Sequence, residues 1–213
     1  MDPSLRTSAS ARARRRTAAS VRGIALAATL LTAAAFGLLG AGSPAHADEQ
    51  PATGNFTLTT APGILPAWDS AGISLVGVSP GSVITNANTG TARISLPVVA
   101  KASTANATAG GFRFVNTATG EQVRCSVPTV DTRARVVDCV LPSGYNAAIF
   151  EISDISERTK VNTETTRTTI FQGMELRIIN REMANRLNDD LDTSVFSASV
   201  VVGDGTLFVT RDR

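Results

Sequence analysis

From residue 54 onward, apolar and polar side chains alternate with a period of two in short blocks separated by Gly, Asn, Asp and Pro. The blocks are GNFTLTT (54–60), ISLVGV (73–78), TARISLPVV (91–99), GFRFVN (111–116), EQVRCSVPTV (121–130), ARVVDCVL (134–141) and AAIFEISDI (147–155), followed by TRTTIFQGMELRII (166–179), FSASVVV (196–202) and TLFVT (206–210). Such alternation sends one set of side chains to a core and the other to solvent, so each block predicts a half-buried strand. Strands of this length and spacing predict an all-β fold: an antiparallel β-sandwich or partly closed barrel with one or two short helices. Pro97 and Pro128 lack an N–H for a ladder and are expected at edges, bulges or strand ends. Gly173 is expected to mark a bulge in the long block before Met174.

Two segments break the period of two. PGILPAWDSAG (62–72) predicts a short turn of helix that sets Leu65 and Trp68 against the sheet, and NREMANRLNDDLD (180–192) predicts a fuller helix. In the second, Asn180 is a suitable N-cap, and Met183, Ala184, Leu187 and Leu191 share one face. The polar run SERTKVNTETTRTT (156–169) is either an exposed ribbon or a loop.

The start of the chain has another pattern. Arg6, Arg12, Arg14, Arg15, Arg16 and Arg22 precede the uncharged run GIALAATLLTAAAFGLLGAG, then Ser43, Pro44 and the small-x-small triplet Ala45-His46-Ala47. That order predicts a signal peptide over 1–47 and one secreted domain over 48–213, with an uncleaved membrane anchor as the competing reading. Removal of this leader takes away the chain's one histidine, six arginines and Asp2, leaving 14 basic against 17 acidic residues and a net charge of −3. With one Trp, one Tyr and no basic run in the remainder, nucleic acid is not an expected partner.

Export bears on the cysteines. Cys125 and Cys139 lie in the part that would leave the cytoplasm, where disulfides persist. A hairpin turning at Asp131 to Arg133, with its register centred on Thr132, places them directly opposite each other on one sheet face. Closing that loop is worth about 3 kcal/mol in the chain-entropy model. Two unpaired buried thiols are the alternative.

A mature chain without histidine cannot assemble a Ser-His-Asp or Cys-His centre or a histidine-bound metal site. Its lysines, Lys101 and Lys160, lie in polar surroundings that are not expected to depress their pKa. Paired carboxylates remain open as hydrolase chemistry, although the scarcity of aromatics disfavours a carbohydrate cleft. Asp190, Asp192 and Ser194 alternate as in a calcium loop, but Val195 and Val201 stand where that loop requires Gly and Glu, so these residues are expected to end the helix and solvate its turn, with a bound cation there as the alternative. The N-x-T triplets at Asn55 and Asn106 are ordinary accidents of a Thr-rich chain.

The segments LPAWDSAGISLVGVSPGSVI, ISLPVV, TAGGFRFVNTATGEQVRCSVPTVDTRARVVDCVL and MELRIINREMANRLNDDLDTSVF, spread over most of residues 56–210, resemble secreted actinobacterial proteins related to the Hta-type haem-binding domain. The resemblance implies an all-β domain capped by a small helix, with Ala184, Leu187 and Asn188 matching its A-x-x-L-N core and Gly110, Gly111 and Phe112 its G-G-aromatic strand. It implies haem only where the family's tyrosine near the start of the domain is present, supported by a histidine and often a second tyrosine. Here the mature histidine is missing and Tyr145, in the turn PSGYNA, does not match the ligand position.

The expected function is therefore that of a secreted, non-enzymatic β-domain of the extracellular space or cell surface, with no membrane span after cleavage. It would act by binding a protein or cell-envelope component, or as part of the envelope. The alternative is binding of haem or a small apolar ligand, with Tyr145 and Met174 as the candidate residues and haem as the one cofactor considered.

Overall fold

The computed structural model describes residues 50–213, so the predicted leader, its cleavage site and His46 lie outside the described residues. In chain order the elements are β1 (Gln50–Thr60), α1 (Ile64–Ser70), β2 (Ile73–Val78), β3 (Ser82–Asn86), β4 (Thr91–Ala102), β5 (Ala105–Thr108) and β6 (Gly111–Asn116). They continue with β7 (Gln122–Asp131), β8 (Val136–Val140), β9 (Asn146–Asn162), β10 (Thr166–Ile178), α2 (Arg181–Asp190) and β11 (Val201–Asp212). All pairings are antiparallel. Strands β7, β5, β4, β1, β11, β10, β9 and β8 follow one another around a closed ring, because β7 also pairs with β8. Of the two architectures expected, the barrel is the one formed, with β2 and β6 branching from β7 and β3 from β4.

A barrel of about eight strands has an interior that side chains can just fill. Phe56, Leu58, Ile94, Leu96, Ile152, Met174, Leu176 and Leu207 fill it and are all essentially inaccessible. One end is plugged by the helices. Trp68 of α1 meets Phe114 edge-on at 5.2 Å and lies 5.7 Å from Phe196, while α2 buries Ala184 and Leu187. The Asn180 side chain accepts from Met183 N at 2.8 Å, the expected N-cap.

Several expectations change in detail. Residues 196–200 do not form a strand, and β11 begins at Val201. The Asn188 amide bonds both N and O of Phe196, so this stretch serves the plug instead of a ladder. The turn between β7 and β8 runs from Thr132 to Arg135 and is held by the Asp131 carboxylate, which accepts from the N–H of Arg133 and Ala134. A bulge between Ser126 and Thr129, with Val127 at φ 44°, shifts the register so that Ser126 faces Val140. Cys125 and Cys139 are therefore diagonal neighbours instead of directly opposite, and they are joined in a disulfide with their Cα atoms 5.0 Å apart. Pro97 sits inside β4, at the point where the neighbour on one side changes from β3 to β5; its carbonyl accepts from Ala109 N at 2.8 Å just past the end of β5, and its ring has no N–H to return that bond. Residues 156–169 form a ribbon made of the end of β9, a turn and the start of β10.

Candidate binding site at the open end of the barrel

The end opposite the helices is built from strands that outrun their neighbours. β8 meets β9 only over Asn146–Glu151, whereas β9 continues to Asn162 against β10. The last links on that side are Ile152 N to Arg135 O at 2.9 Å and Arg135 Nη1 to Ser153 O at 3.1 Å. Beyond them β9, β10, β11, β1 and β4 form a curved wall whose concave side continues the core face.

The register fixes which residues line that wall. Phe171 and Val209 are buried core residues, and along the same face β10 carries Arg167 directly opposite Arg211 of β11. On β9, Arg158 stands opposite Phe171 and Lys160 opposite Thr169. On β4, Lys101 stands between Gln50 of β1 and the buried Asn106 of β5. Five cations from four strands thus share one concave surface. Arg158 stacks its guanidinium 5.1 Å over the Phe171 ring, and Arg211 Nη1 donates to Gln50 Oε1 at 3.1 Å. Gln50, Arg167, Arg211, Asp212 and Arg213 enclose a cleft of about 260 Å³.

Electrostatically these groups oppose one another. Partial burial holds the Lys101 ammonium below its ordinary pKa, and Arg211, Arg158, Lys160 and Arg167 push it the same way. The expectation that Lys101 is unshifted thus fails, because register, not local sequence, supplies its neighbours. Among the described residues the side-chain ion pairs within 4 Å are Arg177–Glu175 and Arg186–Asp190, neither of them in this group. Asn106, 1% exposed, donates to Thr104 O and Val130 O, while its Oδ1 has no partner. It is also too buried to take a glycan in the folded chain.

The two residues singled out for haem lie elsewhere and apart. Tyr145 is 64% exposed in the turn before β9, at the helical end. Met174 is 0% exposed in the barrel core and pairs with Ile155, roughly 30 Å further along β9 at about 3.3 Å per residue. A cleft of about 250 Å³ does adjoin Tyr145, lined also by Ala148, Ile179, Asn180, Glu182, Met183 and Arg186. Asp189 and Asp190 end α2, with Arg186 reaching Asp190 at 3.7 Å. Among the described residues no three His, Cys, Asp or Glu side chains gather as metal ligands would, and no helix is long and apolar enough to cross a membrane.

No family model matches the chain, and no curated protein matches its sequence. Among solved structures, the haem-binding protein HtaB from Corynebacterium glutamicum is similar at 10% identity, over 76% of this chain and 95% of that chain, with a TM-score of 0.42.

Proposed function

We propose that this chain is an exported, non-enzymatic binding protein of the extracellular space or cell surface, and that it holds an anionic partner against the open end of its barrel. The partner is a protein or a cell-envelope component. One observation carries the reading: Lys101, Arg158, Lys160, Arg167 and Arg211 converge on one concave face, none of them in an ion pair within 4 Å among the described residues, with Asp212 the one carboxylate lining the cleft beside them. An otherwise acidic chain that concentrates cations in one concavity attracts anions there by electrostatic focusing. Nucleic acid fits less well, since Trp68 and Tyr145 are at the other end, Phe171 is buried and the exposed Phe208 has the opposite parity to Leu207 and Val209, which leaves no exposed ring on the concave face for a base to stack on. The disulfide supports export.

The test is retention of the purified protein on immobilised inorganic polyphosphate. The expected result is salt-sensitive binding that falls at least about tenfold in Arg167→Ala/Arg211→Ala and is unchanged in Arg124→Ala, which lies outside the wall. Equal retention of all three proteins, or none by the parent, overturns the reading.

A second reading, haem or a small apolar ligand at Tyr145, rests on the cleft that Tyr145 shares with Met183. Its volume falls below the roughly 300–1,000 Å³ of ordinary ligand pockets. Met174 is out of reach in the core. A hemin titration decides: a saturable Soret shift that disappears in Tyr145→Phe establishes this reading, and its absence removes it.

A further inference from the structure

Where β8 turns away, β9 is left with one bare edge. From Asp154 to Asn162 its partner on one side is β10, and on the other there is none among the described residues. Alternate residues along this stretch therefore point N–H and C=O groups into the gap above the Thr132–Arg135 turn. A row of unpaired backbone groups is a template for one more strand.

The side chains on that edge restrict what can pair with it. Arg158 and Lys160 are two residues apart and both face the concave side, with Arg167, Arg211 and Lys101 behind them. A strand laid along β9 puts alternate side chains directly opposite these cations. A second copy of the same edge would set Arg158 and Lys160 against their like, and inward-pointing charges are how natural edges prevent self-pairing. Carboxylates at every second position meet the cations instead. On the convex side β9 presents Glu157, Thr159 and Val161, which call for neutral or β-branched neighbours.

We infer that the anionic partner is an extended acidic peptide segment that adds to the Asp154–Asn162 edge as an extra strand, with Asp or Glu at alternate positions facing the cationic wall. This rests on the reading of the open end as an anion-binding surface and adds to it the class of partner and the backbone contact.

The experiment uses a nine-residue peptide of alternating Thr and Glu, the same peptide with Lys for Glu, and two N-methylated forms of the acidic peptide, one methylated at every Glu nitrogen and one at every Thr nitrogen. Only one of those two sets of nitrogens faces β9 in a paired strand. Affinity for the purified protein is measured by titration, with inorganic polyphosphate in parallel. The expected result is saturable binding of the acidic peptide, none of the Lys peptide, and a loss of at least about tenfold in one N-methylated form but not the other. Amide exchange should slow within 154–162 when the acidic peptide is present. If both N-methylated forms bind like the parent peptide, charge alone is recognised and strand addition is wrong while the anion-binding reading stands. Binding of polyphosphate but not of the acidic peptide leads to the same conclusion. Failure of every anionic probe removes both.

Discussion

The two ends of this barrel use their side chains differently. At the helical end, Trp68, Phe114 and Phe196 pack ring against ring, and Asn116 Nδ2 donates to Leu191 O at 2.7 Å, so that both apolar area and polar groups are satisfied. At the other end the same strands carry their core face past the last apolar layer and line it with cations. One end is arranged for stability, and the other gathers like charges that form no ion pair within 4 Å among the described residues. Proteins tolerate such local conflict mainly where it serves binding.

The largest expected effect lies at the plug. Trp68 is 4% exposed, and Trp68→Ala removes a ring that touches two others, with an expected loss of about 3–5 kcal/mol in urea unfolding. Polyphosphate affinity of the remaining folded molecules should be unchanged. A loss below about 1 kcal/mol would mean that the plug is not what holds that end together.

Next comes the covalent clamp. Cys125→Ala/Cys139→Ala is expected to cost about 3 kcal/mol, because it opens the loop that joins β7 to β8, the pairing that closes the ring. Intact mass before and after reduction checks the bond directly. A double variant with an unchanged urea midpoint would show that the β7–β8 pairing holds without it.

The same hairpin shows how far the sequence could be read. Two cysteines at even spacing with a turn between them suffice to predict their union, and they are joined. Their register was not legible, because the bulge at Val127 and the longer turn shift one strand against the other, and neither departs from alternation in an obvious way. The N-cap at Asn180, the buried face of α2 and the short helix around Trp68 follow local rules and emerge as expected. β3 and β5 are short and largely polar, and no periodicity announces them. Residues 196–200 look like a strand but are diverted by Asn188, eight residues away. The cationic wall was half legible. In TRTTIF, Arg167 has the parity of Phe171, and in TLFVTRDR, Arg211 has the parity of Leu207 and Val209, so alternation alone places both arginines on the core face. That Lys101 joins them depends on a register shift in β4 that sequence does not reveal.

Gly173 lies where the two regimes meet. Its φ of 58° lets β10 reset parity between Phe171 and Met174, and a Cβ there would press on the Ser156 side chain. Gly173→Ala is expected to cost about 1–2 kcal/mol through left-handed backbone strain and that contact. It should also weaken polyphosphate binding, since it disturbs the angle at which β9 and β10 carry Arg158 and Arg167. Loss of stability with binding intact would separate the bulge from the site.

The smallest effect is the most telling about the open end. Lys101 is held below its ordinary pKa by partial burial first and by four neighbouring cations after that, so its protonated form is disfavoured in the native state. A base whose native pKa lies below its unfolded one reduces stability fully at pH values where both states hold the proton. That penalty fades as pH rises through the native pKa and is gone above the ordinary lysine value. Lys101→Met, which keeps the apolar stem, should therefore raise the unfolding free energy measured in urea at neutral pH by a small amount, no more than about 0.5 kcal/mol because solvent screens the cluster. The gain should shrink at alkaline pH. It should reverse when polyphosphate is present, since an anion on the wall stabilises the parent more than the variant. A variant less stable than the parent at neutral pH without ligand would mean that Lys101 has a favourable partner, and the contrast between a satisfied end and a repulsive one would then fail at its most crowded residue.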